Sequence, residues 1–113
     1  MTSDRKIRRV LKKYVERKGY LQPSTVKNTL ATETGLDSKA LRDYFLRETG
    51  ASAEAWRTTL RVEEAKRLLI EEPQAILRDI ARRCGFSDRS NFSKQFLSAT
   101  GLTPAEWRES APF

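Results

Sequence analysis

The fold of this chain is decided by residues 80–107, which read IARRCGFSDRSNFSKQFLSATGLTPAEW. A related pattern precedes it in residues 30–56, which read LATETGLDSKALRDYFLRETGASAEAW. The two copies are offset by 50 residues as far as the glycine of the turn and by 51 residues after it, so one extra residue has entered the second copy within residues 87–91. Because a solenoid needs three or more copies, this repeat indicates a supersecondary unit used twice.

Apolar residues recur at helical spacing through most of the chain and predict an all-α fold of seven helices without strands. Gly19 is predicted to end the first helix, and Pro23-Ser24 to open the second. Ile76 begins the apolar pattern of the fifth helix, and Thr103-Pro104-Ala105-Glu106 predicts a capping box that opens the last. The three most clearly bounded helices are predicted at about Ser38–Thr49, Ala53–Glu71 and Arg89–Thr100.

Each copy of the repeat has the sequence pattern typical of a helix-turn-helix. Gly35 and Gly85 stand where the chain leaves a short helix, a position that favours positive φ. Asp37 or Ser38 in the first copy, and Ser87 or Asp88 in the second, supply N-caps for the next helix. The pattern predicts two homeodomain-like helix-turn-helix lobes, at about residues 4–51 and 73–113, joined by a long linker helix at about 52–72. A generic αα-hairpin in a small bundle is the plainer alternative.

Charge and composition favour a polyanionic partner and exclude several other classes of protein. The net charge is +7, and residues 1–18 carry eight basic against two acidic residues. A basic surface attracts nucleic acid, although it can also be a solvated face or one that docks on an N-terminal partner. Without histidine and with one cysteine, the chain predicts no disulfide framework, no Cys/His zinc site and no cofactor.

No catalytic function is expected, because the sequence offers no nucleophile with an evident base beside it. Cys84 is interpreted as a packed core residue, and Trp56 and Trp107 as core residues at equivalent positions of the two copies. No apolar run is long enough to span a bilayer, and no secretory signal opens the chain, so we expect a cytoplasmic, nucleoid-associated protein without a membrane partner.

The second helix of each hairpin presents polar side chains suited to base edges. Burial of Phe92 and Phe96 would turn the polar residues of that helix outward. Among them, arginine and lysine can bind guanine edges, and asparagine can bind adenine. We expect the second copy to bind DNA more strongly, because Asp37 and Asp43 flank the cations of the first. The outward residues are Arg89, Ser90, Asn91, Ser93 and Lys94 in the second copy and Lys39, Arg42 and Asp43 in the first.

These residues resemble the DNA-binding domain of the AraC/XylS family of bacterial transcription regulators over nearly the whole chain. The linker is similar at Arg61, Ala65 and Leu68-Leu69. Lys39, Asp43 and Trp107 depart from the residues that are more usual in the family. The second-half signature consists of Ile80-Ala81, Gly85-Phe86, Asn91-Phe92-Ser93, Phe96, Gly101, Pro104 and Trp107-Arg108.

The resemblance implies sequence-specific binding to double-stranded DNA, with both recognition helices in successive major grooves. A linker of about 19 residues is about 28 Å long, compatible with helices about one DNA turn apart. The implied base contacts are the eight outward residues above, and the implied phosphate contacts are Ser38, Arg47, Arg78, Arg82 and Ser87.

The resemblance also implies a transcription activator, with RNA polymerase and an N-terminal sensing or dimerisation domain as further partners. A stand-alone regulator of this size is the other possibility within the family. Outside it, the alternative is a helical protein-interaction module with weak or lost DNA binding, suggested by the acidic first copy.

Overall fold

The computed structural model describes residues 2–23 and 25–110, and within these ranges it is all-helical, as predicted. The side chains of residues 2 and 3 are not described. Ser24, predicted to help open the second helix, lies outside the described residues. The seven helices are α1 (Thr2–Glu16), α2 (Val26–Thr34), α3 (Ser38–Thr49), α4 (Ala53–Glu71), α5 (Leu77–Arg83), α6 (Arg89–Thr100) and α7 (Pro104–Glu109).

Three helices, α3, α4 and α6, have the predicted limits, because their ends carry strong capping signals. The Asp37 carboxylate accepts a 2.8 Å hydrogen bond from the Ala40 N–H and opens α3. Gly50, at φ 73°, ends it. The Ser52 hydroxyl accepts a 3.1 Å bond from the Ala55 N–H at the start of α4. The predicted capping box of α7 is also present, between Thr103 and Glu106.

The chain divides into two compact units, Met1–Arg57 and Thr58–Phe113, and the division falls within α4. In the first unit, Trp56 stacks on Tyr14 with ring centroids 5.7 Å apart, and it lies 5.4 Å from the ring of Phe45. These rings fix α1, α3 and the start of α4 around one core. The fully or almost fully buried members of that core include Ile7, Tyr14, Val26, Leu30, Leu41 and Phe45.

The second unit has an aromatic core that continues from the turn to the last helix. Phe86 lies 5.1 Å from Phe92, which contacts Phe96, and Phe96 meets the ring of Trp107 edge-on at 5.8 Å. Both tryptophans therefore contact the cores of their units, although each is itself only half-buried. The C-terminal end of α4 is capped by Arg108, whose guanidinium donates to the Leu69 carbonyl at 3.1 Å and to the Glu72 carbonyl at 3.2 Å.

The prediction that Gly19 ends the first helix is wrong by one residue, because the left-handed residue that follows α1 is Lys18. Lys18 takes that conformation, at φ 56° and ψ 41°, and Gly19 begins a short 3-10 turn, Gly19–Leu21. A glycine is needed for a different reason: a Cβ on Gly19 would lie 2.7 Å from Cδ1 of Tyr14. The glycine thus leaves room for the ring that stacks on Trp56.

Ile76 does not belong to the apolar face of the fifth helix. It is the N-cap residue of α5, in an extended conformation, and is 59% exposed. The buried side of α5 is formed by Ile80 and Ala81, followed by Cys84. The helix is therefore one residue shorter at its start than the apolar spacing indicated.

Among the described residues, no helix has both the length and the apolar character needed to cross a membrane.

Candidate nucleic-acid interface

The turn of each hairpin is built around a glycine in the left-handed conformation, as predicted. Gly35 has φ 74° and is the C-cap of α2, whereas Gly85 has φ 85° and follows the C-cap Cys84 of α5. Leu36 is half-buried and Phe86 is buried after these glycines. The chain therefore reverses between each helix pair and covers the core with an apolar residue.

The extra residue of the second copy lies in the turn. Asp37 and Asp88 are the equivalent N-caps, since the Asp88 carboxylate accepts a 2.7 Å hydrogen bond from the Asn91 N–H. Ser87 is consequently the additional residue between Phe86 and the cap. Ser38 and Ser87, the alternative candidates for N-caps, do not cap these helices, and both are exposed.

Among the predicted base-contacting residues of α6, Ser90 and Lys94 lie on the side opposite the buried rings, whereas Arg89, three residues before Phe92, lies nearer to them. Phe92 and Phe96 are completely buried, and they hold α6 against the second unit. Arg89, Ser90 and Lys94 are exposed, and Asn91 and Ser93 are half-buried beside them. A surface of donors and amides is thus carried on a helix whose orientation is fixed by its core.

A cleft of about 500 Å³ brings Arg89 together with a predicted phosphate contact, Arg78. Arg108 also lines this cleft, although its guanidinium is bound to carbonyls at the end of α4. Arg78, in the first turn of α5, is exposed. The cleft therefore combines cations from α5 and α6, an arrangement suited to an anion such as phosphate.

The other predicted phosphate contact on α5, Arg82, is bound within the protein. Its guanidinium donates a 2.7 Å hydrogen bond to the Asp79 carboxylate while the side chain stays 80% exposed. This hydrogen bond is the main reason that the pKa of Asp79 lies below its usual value. Arg82 would have to leave or share this carboxylate in order to bind a phosphate.

Carboxylates partly neutralise the predicted cationic contacts of α3. The sequence indicated this for Asp43 but not for Asp4. Lys39 donates a 3.0 Å hydrogen bond to Asp43, which lowers the pKa of that carboxyl, with Arg42 contributing a weaker attraction. Arg47 donates a 2.9 Å bond to Asp4 of α1, and the pKa of its guanidinium is raised mainly by that charge. All three cations remain exposed.

The basic cluster of α1 and its following turn is exposed, as expected of a solvated or anion-attracting face. One member, Arg17, forms an ion pair with Glu33 of α2. The pair ties the end of α1 to the first hairpin. The exposed cations are Arg5, Lys6, Arg8, Arg9, Lys12, Lys13, Arg17 and Lys18.

Cys84 is a core residue. Its side chain has no exposed surface, and burial raises the pKa of its thiol to about 12. Because the thiolate is the reactive form, we expect Cys84 to be unreactive as a nucleophile in the folded chain.

A sequence model described as a helix-turn-helix domain matches residues 30–110 of the chain. The HTH-type transcriptional activator RhaR of Escherichia coli K12 is 34% identical over 76 residues, which cover 67% of this chain and 27% of RhaR. The chain thus spans about a quarter of the length of the curated relatives it matches.

Two solved structures are similar over nearly the whole chain. The C-terminal domain of AraT, a response regulator from Geobacillus stearothermophilus, has a TM-score of 0.84 and 25% identity, covering 95% of this chain and 87% of that one. The DNA-binding domain of AdpA, a global transcriptional factor crystallised with a target DNA, has a TM-score of 0.80 and 26% identity, covering 93% and 91%.

Proposed function

The chain belongs to the AraC/XylS family of helix-turn-helix DNA-binding domains of transcription regulators, and from this premise we propose that α3 and α6 enter successive major grooves of a specific operator. The proposal extends to a bacterial transcription activator that works in the cytoplasm. RNA polymerase and an N-terminal sensing or dimerisation domain are its proposed protein partners. The limits of its two lobes and linker, 4–51, 52–72 and 73–113, stay a prediction.

The surface of α6 carries the proposal. Its outward residues can donate to or accept from base edges, and the buried Phe92 and Phe96 hold the helix in one orientation. A helix already held in its binding orientation lowers the entropic cost of binding. The proposed base contacts of α6 are Arg89, Ser90, Asn91, Ser93 and Lys94.

Phosphate contacts supply affinity and fix the register of the two helices. Arg78 supports this role most directly, because it is exposed and shares a cleft with Arg89. Ser38 and Ser87 are exposed at the starts of α3 and α6. Arg47 and Arg82 are proposed as further contacts that exchange a carboxylate for a phosphate on binding.

A second candidate function is a helical protein-interaction module with weak or lost DNA binding. The pairing of Lys39 with Asp43 and of Arg47 with Asp4 favours it, since these carboxylates reduce the attraction of α3 for phosphate. The exposed polar residues Arg89, Ser90 and Lys94 of α6 favour DNA binding, and we give them the greater weight.

The test is selection of bound sites from a random duplex pool, followed by titration of the selected duplex and a scrambled duplex of equal length and composition. We expect the selected site to bind at least about a thousandfold more tightly, with log affinity falling linearly as log salt rises. Equal affinity for both duplexes would contradict sequence recognition. Affinity that does not respond to salt would contradict phosphate binding and support the protein-interaction module.

A further inference from the structure

Two exposed leucines occupy equivalent positions in the two recognition helices. Leu46 of α3 is 51% exposed and Leu97 of α6 is 46% exposed. The carbonyl of each accepts a hydrogen bond from the glycine that ends its helix, at 3.0 Å from Gly50 and 2.8 Å from Gly101. The pair is therefore matched by structure as well as by position in the repeat.

Both leucines lie on the face of the helix that carries the proposed base contacts. Residues three and four apart on a helix are neighbours on one face. Leu46 follows Asp43 by three residues and Arg42 by four, and Leu97 follows Lys94 by three and Ser93 by four. Each leucine continues the polar surface of its helix by one turn with an apolar group.

We propose that Leu46 and Leu97 contact the C5-methyl groups of thymines in the major groove, so that each half-site contains a thymine selected by a leucine. This inference rests on the proposed function. The thymine methyl is the apolar group that the major groove displays, and it is the natural partner of an apolar side chain placed among base-contacting donors.

A protein partner fits the same leucines less well. Protein-binding sites present contiguous apolar patches, commonly of a few hundred Å². Leu46 follows Lys39, Arg42 and Asp43 on its face of α3, and Leu97 follows Ser90, Ser93 and Lys94 on α6. Single apolar groups surrounded by hydrogen-bonding groups match the mixed edge pattern of a base pair.

The experiment uses the duplex selected by the wild-type chain and replaces its thymines, one at a time, by deoxyuridine, which lacks only the methyl group. We expect at least one thymine in each half-site whose replacement weakens wild-type binding by about fourfold. Leu46→Ala removes this sensitivity in one half-site, and Leu97→Ala removes it in the other. Val15→Ala, which shortens an exposed apolar side chain of α1, keeps the wild-type pattern.

The outcomes separate this inference from the proposed function. If both leucine variants retain the wild-type loss on every deoxyuridine duplex, the leucines do not contact thymine methyls, while sequence-specific binding still stands. If the wild-type chain does not distinguish selected from scrambled duplexes, both proposals fail. Circular dichroism of each variant checks that the helices are intact.

Discussion

Lys39 and Asp43, both predicted to face DNA bases, bind each other across one turn of α3, with Nζ 3.0 Å from Oδ2. The carboxylate that accepts from Lys39 also lowers the positive potential around Arg42. The first recognition helix therefore presents a partly neutral surface, in contrast to α6. This difference between the helices has consequences that can be measured.

Asp43→Asn is expected to strengthen binding to duplex DNA by up to about fivefold at low salt. The change removes a carboxylate from the proposed interface and releases Lys39 for a base or a phosphate. Fluorescence anisotropy with the scrambled duplex measures the gain, because binding to that duplex reports electrostatic attraction without a selected base contact. Glu63→Gln on α4 is the matched control, because it makes the same change of charge and releases Lys66 from an equally close 2.9 Å pair. An equal gain in the control would show that the effect comes from net charge and not from the position of Asp43 in the proposed interface.

Arg78→Ala is expected to reduce the slope of log affinity against log salt by about 1. Arg78 is exposed in the cleft that it shares with Arg89, and we expect it to release one counterion when it binds a phosphate. Arg82→Ala should change the slope less, because Arg82 is already bound to Asp79 at 2.7 Å. Identical slopes for the two variants would contradict this distinction.

Gly19→Ala should lower the free energy of unfolding of the first unit by about 1–3 kcal/mol, because the new Cβ would lie 2.7 Å from the Tyr14 ring. Thermal unfolding followed by circular dichroism measures the loss. Lys12→Ala is the control, since it alters an exposed residue of α1 away from the contact between Gly19 and Tyr14. If Gly19→Ala unfolds at the wild-type temperature, the ring can move and the glycine is not required for packing.

The helices whose ends carry local signals were predictable residue by residue. Asp37, Asp88 and the glycines at 50 and 101 act through hydrogen bonds and backbone conformation within a few residues, so their effect can be read along the sequence. Gly19 shows the limit of this reading. Its role depends on the Tyr14 ring, which the chain brings back against it, and a positional rule for glycine cannot detect that contact.

The proposed site also has features that local sequence spacing predicts and one that depends on packing between distant helices. The side of α6 that faces outward follows from the buried positions of Phe92 and Phe96, so sequence periodicity predicts it. The Lys39–Asp43 pair also has the favourable spacing of four residues and could have been inferred. By contrast, Arg47 and Asp4 are 43 residues apart, and only the packing of α1 beside α3 brings them together.

Cys84 is expected to resist thiol reagents in the folded chain. With its pKa raised to about 12, the thiol stays almost entirely protonated at pH 8, and the group has no exposed surface. The folded chain holds the thiol proton more tightly than the unfolded chain does. The free energy of unfolding therefore falls as pH rises from about 9, the ordinary pKa of the thiol, toward about 12. Labelling with a chromogenic disulfide, with and without denaturant, measures the protection directly, since this is the single cysteine of the chain. Rapid labelling without denaturant would place Cys84 at the surface.

Arg89→Ala is expected to weaken binding to the selected duplex by about tenfold or more, and Arg42→Ala by less. Arg89 stands in the first turn of α6 beside further donors, whereas Arg42 lies next to the Asp43 carboxylate and already contributes to lowering its pKa. Arg9→Ala, which removes the same charge from the exposed face of α1, controls for general electrostatic attraction. A larger loss from Arg42→Ala than from Arg89→Ala would reverse the proposed order and make α3 the stronger recognition helix.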